Sequence, residues 1–204
     1  FASARVNRID SDSMQGKDYY GLLKDFSEGK IDILAGTQIL AKGLHFPNVT
    51  LVGIVSADTC LYVPDFRSNE RTFQLISQVA GRTGRSEKKG TVYIQTFLPD
   101  QPAIQFASRN DFDGFVKEEL KHRKSCNLPP FWRLAGITLR DTSYEKLEKA
   151  ASVLKNEIDM LVEKLGVEIK VRGPMEPPIA RIQRFHRLHM ILQAPDAGHF
   201  KQLF

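Results

Sequence analysis

Two rhythms of apolar residues alternate along the first hundred positions. Short apolar stretches at residues 4–10, 31–35, 49–55 and 91–97 are bounded by polar or glycine-containing turns, which is the pattern of strands. Residues 17–28 and 70–80 instead repeat at helical spacing, with Tyr20, Leu22, Leu23 and Phe26 in the first and Phe73, Ile76 and Ser77 in the second. Gly29 stands where a helix would stop, and Thr37 stands where a short helix running to Lys42 would start. The run VTLVGIV (49–55) has no polar break, as expected of a strand buried on both faces of a parallel sheet. Strands alternating with helices predict a right-handed parallel α/β layer, with ligands beyond the carboxyl ends of the strands. Gly36-Thr37 leaves one such end, Asp58 lies just past the next, and residues 78–85 close the helix before the last strand. Three loops are therefore expected on one rim.

The pattern changes after Pro99 and Pro102. Residues 104–124 read as one or two charged helices, stopped by Asn127-Leu128-Pro129-Pro130, because proline cannot continue a helix. Residues 132–140 then alternate as a strand, and residues 144–165 form a long amphipathic helix with Leu147, Ala151, Leu154, Ile158 and Leu161 on one face. Residues 167–171 and 187–193 alternate again around an irregular loop at 173–178, and a helix starts near Asp196. This order predicts a smaller α+β domain of the split βαβ, ferredoxin-like kind, with its last strand missing. The expected organisation is an α/β domain over 1–100, a helical linker over 101–130 and a truncated domain over 131–204. The chain opens on Phe1-Ala2-Ser3 and reads as a piece of something longer.

Charge and cysteine content narrow the chemistry. The net charge is +5 over 204 residues, which permits a nucleic-acid partner without demanding one. No 18-residue apolar run is present, so no membrane partner is expected. Cys60 and Cys126 are the only cysteines and form no CxxC, which argues against a zinc site and suits a reducing compartment.

The stretch QVAGRTGR (78–85) carries the sharpest signal. Gly81 and Gly84 each precede an arginine, Arg82 and Arg85, so the backbone is free to approach a ligand and a planar fork of donors follows. It reads either as an arginine-rich surface loop or as a phosphate clamp. A cradle of the GxxxxGK[ST] kind is absent from these residues. Thr37 is either a plain N-cap or a hydroxyl at a phosphate-binding helix start, and Lys42 is a second phosphate candidate. Between residues 170 and 189, Lys170, Arg172, Arg181, Arg184 and Arg187 face only Glu176, with Phe185, His186 and His189 interleaved. Such a mixture reads either as a solvated edge or as a surface that holds a phosphate backbone and stacks unpaired bases. Residues 121–124 read as a solvated helix face, and Trp132 as a core or interface residue.

GTQILAKGLHFPNVTLV (36–52) followed by QVAGRTGR resembles motifs V and VI of the second, RecA-like lobe of superfamily 2 helicases. With DFRSNER (65–71), LPPFWRLAGITLR (128–140) and RFHRLHMILQ (184–193), it is similar to the bacterial replication-restart branch of those DNA helicases. The resemblance implies that Arg85 is an arginine finger on the γ-phosphate of ATP held by the other lobe. Arg82 would be the second arginine on the phosphate side, and Gln78 would couple nucleotide to the lobe interface. Gly36, Asp58 and Gly81 join them as nucleotide-side candidates. Thr37 and Lys42 would touch the DNA backbone, as would Arg181, Arg184, Phe185 and Arg187 in the C-terminal domain. It further implies ATP with Mg2+, held mainly by a first lobe, and zinc elsewhere in the full-length protein. Implied partners are forked or single-stranded DNA, other primosome proteins and a single-stranded-DNA-binding protein, in a cytoplasmic, nucleoid-associated setting. By this resemblance the piece alone leaves ATP intact. The alternative is a non-enzymatic nucleic-acid-binding or assembly module.

Overall fold

The computed structural model describes residues 3–9, 19–37, 46, 48–81 and 90–203. They form two compact units, residues 1–115 and 116–204.

In the first unit, β1 (Val6–Ile9) pairs in parallel with β2 (Ile33–Gly36), Val6 opposite Ile33 and Ile9 opposite Gly36. The connection carries α1 (Tyr19–Ser27), which buries Leu23. Arg5 fixes the entry to β1 by donating from Nε and Nη2 to the two carboxylate oxygens of Asp32, each at 2.8 Å. Strand β3 (Leu51–Ile54) pairs in parallel with β4 (Thr91–Ile94), and α2 (Ser68–Ala80) lies between them in sequence. The expected parallel α/β character is present, but among the described residues the strands form two separate pairs rather than one layer.

The run at 49–55 is not buried on both faces. Leu51 is 55% and Val55 80% exposed, whereas Ile54 is buried. The strand's alternation decides this: α2 contacts β3, and only the Val52 and Ile54 side is withdrawn from solvent.

Helix α2 buries Thr72, Phe73 and Ile76. Phe73 stacks on Phe115, with centroids 4.3 Å apart and planes 7° from parallel. Helix α3 (Pro102–Ser108) buries Ala103, Ile104 and Ala107 and packs against α2. Residues 101–115, read from the sequence as linker, are thus part of the first unit, because an apolar face of α3 and the Phe115 ring complete the α2 core. Helix α4 (Phe112–Ser125) begins in the first unit and ends in the second, where Glu119 and Arg123 form a buried ion pair at 2.8 Å.

The second unit contains β5 (Arg133–Asp141), α5 (Tyr144–Leu165), β6 (Lys170–Met175), β7 (Arg181–Ile182), β8 (Phe185–Ala194) and α6 (Ala197–Leu203). Ser143 caps α5 by accepting from the Lys146 N–H at 3.5 Å, and Gly166 ends it at φ 63°, a left-handed conformation that favours glycine. Strand β8 lies between β5 and β6 and is antiparallel to both, so α5 joins two strands that are not neighbours. One sheet face is apolar: Met190, Leu192 and Ala194 of β8 are 0% exposed and pack with Ile158 of α5 and Ile169. Leu147, Ala151 and Leu188 extend this core. Full burial of each large side chain contributes roughly 1.5–3 kcal/mol.

Two strands exceed their predicted bounds. Strand β8 starts at Phe185 because the short β7 pairs with it, Arg181 opposite His186 and Ile182 opposite Phe185. Strand β6 runs through Gly173 and Pro174, read from the sequence as loop, because an irregularity between Arg172 and Met175 lets the chain stay paired with β8.

Candidate functional site

The nucleotide-side candidates of the first unit sit at element ends. Gly36 is the last residue of β2, and Thr37 follows it, both exposed. Gln78 is exposed in the last turn of α2. Gly81 closes that helix by donating its N–H to the Ser77 carbonyl at 2.9 Å. A Cβ at Gly81 would lie 3.2 Å from that carbonyl oxygen, a tight contact that a shift of a few tenths of an ångström relieves. Lys42, Arg82 and Arg85 lie outside the described residues.

Asp58 does not face a ligand. It is 1% exposed, and its carboxylate accepts hydrogen bonds from the Thr96 hydroxyl and from the Phe97 N–H, the latter at 2.8 Å. These two donors hold its carboxyl below the usual carboxylate range. The residue ties the 3-10 turn after β3 (Ala57–Cys60) to the segment after β4. Its position past a strand end suggested a rim residue, but the adjacent polar donors of the next strand's exit had no signature in the sequence.

The second unit carries a different surface on the sheet face opposite α5 and α6. Antiparallel register puts Arg140 of β5 directly opposite Arg187 of β8, and Thr138 opposite His189. Strand β6 adds Arg172, opposite Ile191, and Lys170, opposite Gln193. Arg140 and Arg184 hold their guanidinium carbons 5.4 and 5.5 Å from the centre of the Phe185 ring. At the other end of the sheet the Lys170 ammonium lies 4.8 Å from the Trp132 ring centre. Arg187 donates to the Ile179 carbonyl at 3.3 Å, and its Nη2 is 3.3 Å from Nε2 of His189. A guanidinium only donates, so Nε2 accepts and the His189 ring is neutral. Burial, reinforced by the neighbouring Arg187 charge, moves the His189 pKa downward in agreement with that geometry.

Of the predicted DNA-side residues, the structure brings Arg184, Phe185 and Arg187 together, whereas Arg181 of β7 stands opposite His186 and so belongs to the other sheet face. Sequence reasoning missed Arg140. Its place at the end of an alternating strand marked it as a polar-face residue, but only the pairing of β5 with β8 sets it beside Phe185. Among the described residues no three His, Cys, Asp or Glu side chains gather as metal ligands, and no helix is long and apolar enough to cross a membrane.

Comparison with known proteins follows the same division. Residues 2–87 match the helicase conserved C-terminal domain, and residues 124–203 match the primosomal protein N C-terminal domain. This is a chain built of a helicase C-terminal domain followed by a domain characteristic of primosomal proteins. It is 46% identical over 192 residues to the replication restart protein PriA of Bacillus subtilis, covering 94% of this chain and 24% of that protein. The PriA proteins of Haemophilus influenzae and Treponema pallidum are 41% and 38% identical, each over 196 residues, covering 96% of this chain and 26% and 29% of theirs. The chain belongs to the PriA family of replication restart proteins. It spans about a quarter of the length of these relatives.

Proposed function

We propose that this chain supplies the second motor lobe and the C-terminal DNA-holding domain of an ATP-dependent DNA helicase. In this reading the whole protein binds forked DNA, moves 3′ to 5′ and promotes primosome assembly in replication restart, within the bacterial cytoplasm at the nucleoid. The observation that carries it is the helicase C-terminal match over residues 2–87, which includes QVAGRTGR, followed in the same chain by the PriA-type domain.

The nucleotide would be ATP with Mg2+, held mainly by a first lobe; its binding would close the lobes, and its γ-phosphoryl group would then pass to water. Gly36 and Thr37 fit a phosphate neighbour: both are exposed at a strand end, and glycine leaves the backbone open to close approach. Arg85 and Arg82 place positive charge on the phosphates, and Gln78, exposed at the end of α2, links that charge to the lobe surface. Thr37 and Lys42 contact the DNA backbone in the motor. The smaller domain follows a ferredoxin-like arrangement around β5, β8 and β6; Arg184, Phe185 and Arg187 hold nucleic acid on its cationic face, and Arg181 does so from the other side of β7. Zinc belongs to another part of the full-length protein, as do the contacts that recruit other primosome proteins and single-stranded-DNA-binding protein.

The test is Arg85→Ala in the whole protein, read as DNA-stimulated ATP hydrolysis. An arginine finger is worth on the order of 10³ to 10⁵ in rate, so turnover should fall by about 10³ or more with nucleotide binding largely kept. Unchanged turnover would remove the arginine-finger role of Arg85 and favour this chain as a non-enzymatic nucleic-acid-binding or assembly part of the protein.

A further inference from the structure

We propose that the sheet face opposite α5 and α6 is selective for a single unpaired nucleic-acid strand. In this assignment Arg140 and Arg172 hold its phosphates from the two strands flanking β8, and one unstacked base lies on Phe185. The proposal rests on the nucleic-acid reading above and adds the form of the substrate and two residues from β5 and β6.

The first argument is charge placed against stability. Like charges directly opposite in an antiparallel pair are destabilising, yet Arg140 and Arg187 stand in register. Among the described residues none of Arg140, Arg172, Arg184 and Arg187 forms an ion pair with a carboxylate. The facing positions of β5, β6 and β8 carry no acid at all, since Asp141 sits on the opposite face with His186. A carboxylate-free row of guanidinium groups is suited to an anion with several charges.

The second argument is the aromatic rings. Phe185 is half-buried, and the guanidinium groups of Arg140 and Arg184 both lie against its ring. A duplex hides its base faces, whereas an unpaired strand offers one per nucleotide. A base arriving on the ring displaces a guanidinium group, which then reaches the adjacent phosphate. The Lys170–Trp132 pair repeats this cation-on-aromatic arrangement eight residues further along β8, opposite Gln193, roughly 27 Å away at the usual rise per strand residue. That span suits about four nucleotides, the low end for sheet-based single-strand sites.

The test is fluorescence anisotropy of the 204-residue chain with a labelled oligothymidylate and with a blunt duplex of equal length, each over a salt series. The chain should bind the single strand more tightly. Phe185→Leu should weaken single-strand binding on the order of 10-fold and duplex binding by clearly less, while Phe185→Tyr keeps single-strand binding. Arg140→Gln should reduce the salt slope by roughly 0.7, and Arg140→Lys should restore it. Thermal unfolding of each variant separates a binding loss from a folding loss. If the wild-type chain binds but Phe185→Leu changes nothing, or the duplex is preferred, this proposal is overturned and the broader nucleic-acid reading stands. If the wild-type chain binds neither at low salt, both fall.

Discussion

Replacing Gly173 by alanine tests the geometry that keeps β6 against β8. Gly173 has φ +104°, and a Cβ there would stand 2.6 Å from the His189 carbonyl oxygen and 3.2 Å from the Met190 Cα. Both neighbours are backbone atoms of the central strand, so no side chain can swing aside. Holding a non-glycine residue at positive φ costs about 1–3 kcal/mol. Overpacking against a fixed neighbour adds about 1–3 kcal/mol, giving a loss of about 2–6 kcal/mol in all. Trp132, the only tryptophan, belongs to this unit beside Lys170, so its emission follows unfolding of the second unit in urea. With a slope of about 1–3 kcal/mol per molar urea, the midpoint should fall on the order of 1–3 M. Gly136→Ala is the control: its Cβ meets nothing within 4 Å, and the change should stay within about 0.5 kcal/mol. A loss below about 1 kcal/mol for Gly173→Ala would mean that β6 shifts freely along β8, and the register that places Arg172 on the binding face would lose its support.

Two further outcomes follow from the packing and the titrations. Phe115→Ala removes a ring that is 4% exposed and stacked on Phe73, a loss of about 3–5 kcal/mol that should speed amide exchange throughout α2; unchanged exchange there would detach residues 101–115 from the first unit. His189 has a folded-state pKa below the ordinary imidazole value, so the unfolded chain binds its proton first as pH falls. Stability should therefore be fully present above about pH 6.5 and decline below it, and His189→Gln should flatten that decline in urea titrations at pH 5.5 and 7.5. An unaltered pH profile in the variant would mean that the Arg187–His189 contact does not set the protonation state.

Much of the architecture was legible because it depends on local periodicity. Helix α5 has the bounds its apolar spacing predicts, since Ser143 and Gly166 supply the stop signals at both ends. Helix α2 was placed to within two residues by Phe73 and Ile76. QVAGRTGR and the basic run from Lys170 to His189 could be seen because the chemistry-bearing residues are adjacent in sequence. Periodicity could not say which strands pair, because strand pairing is made by atoms distant along the chain. It therefore missed the separation into β1–β2 and β3–β4 pairs and the exposure of Leu51 and Val55. It also left Asp58 on a rim, when long-range bonds to Thr96 and Phe97, 38 and 39 residues away, draw it inside.

By itself the sequence determined most of the elements and the family, and it marked two stretches rich in positive charge, QVAGRTGR and residues 170–189. Each of these is written in residues a few positions apart, where spacing and side-chain chemistry suffice. The tertiary structure decided that Arg140, 45 residues before Phe185, shares its face and its ring contact. Register fixes that juxtaposition, and register is set by burying Met190, Leu192 and Ala194 against α5, since a slip of one residue would turn the apolar set outward and the arginines into the core.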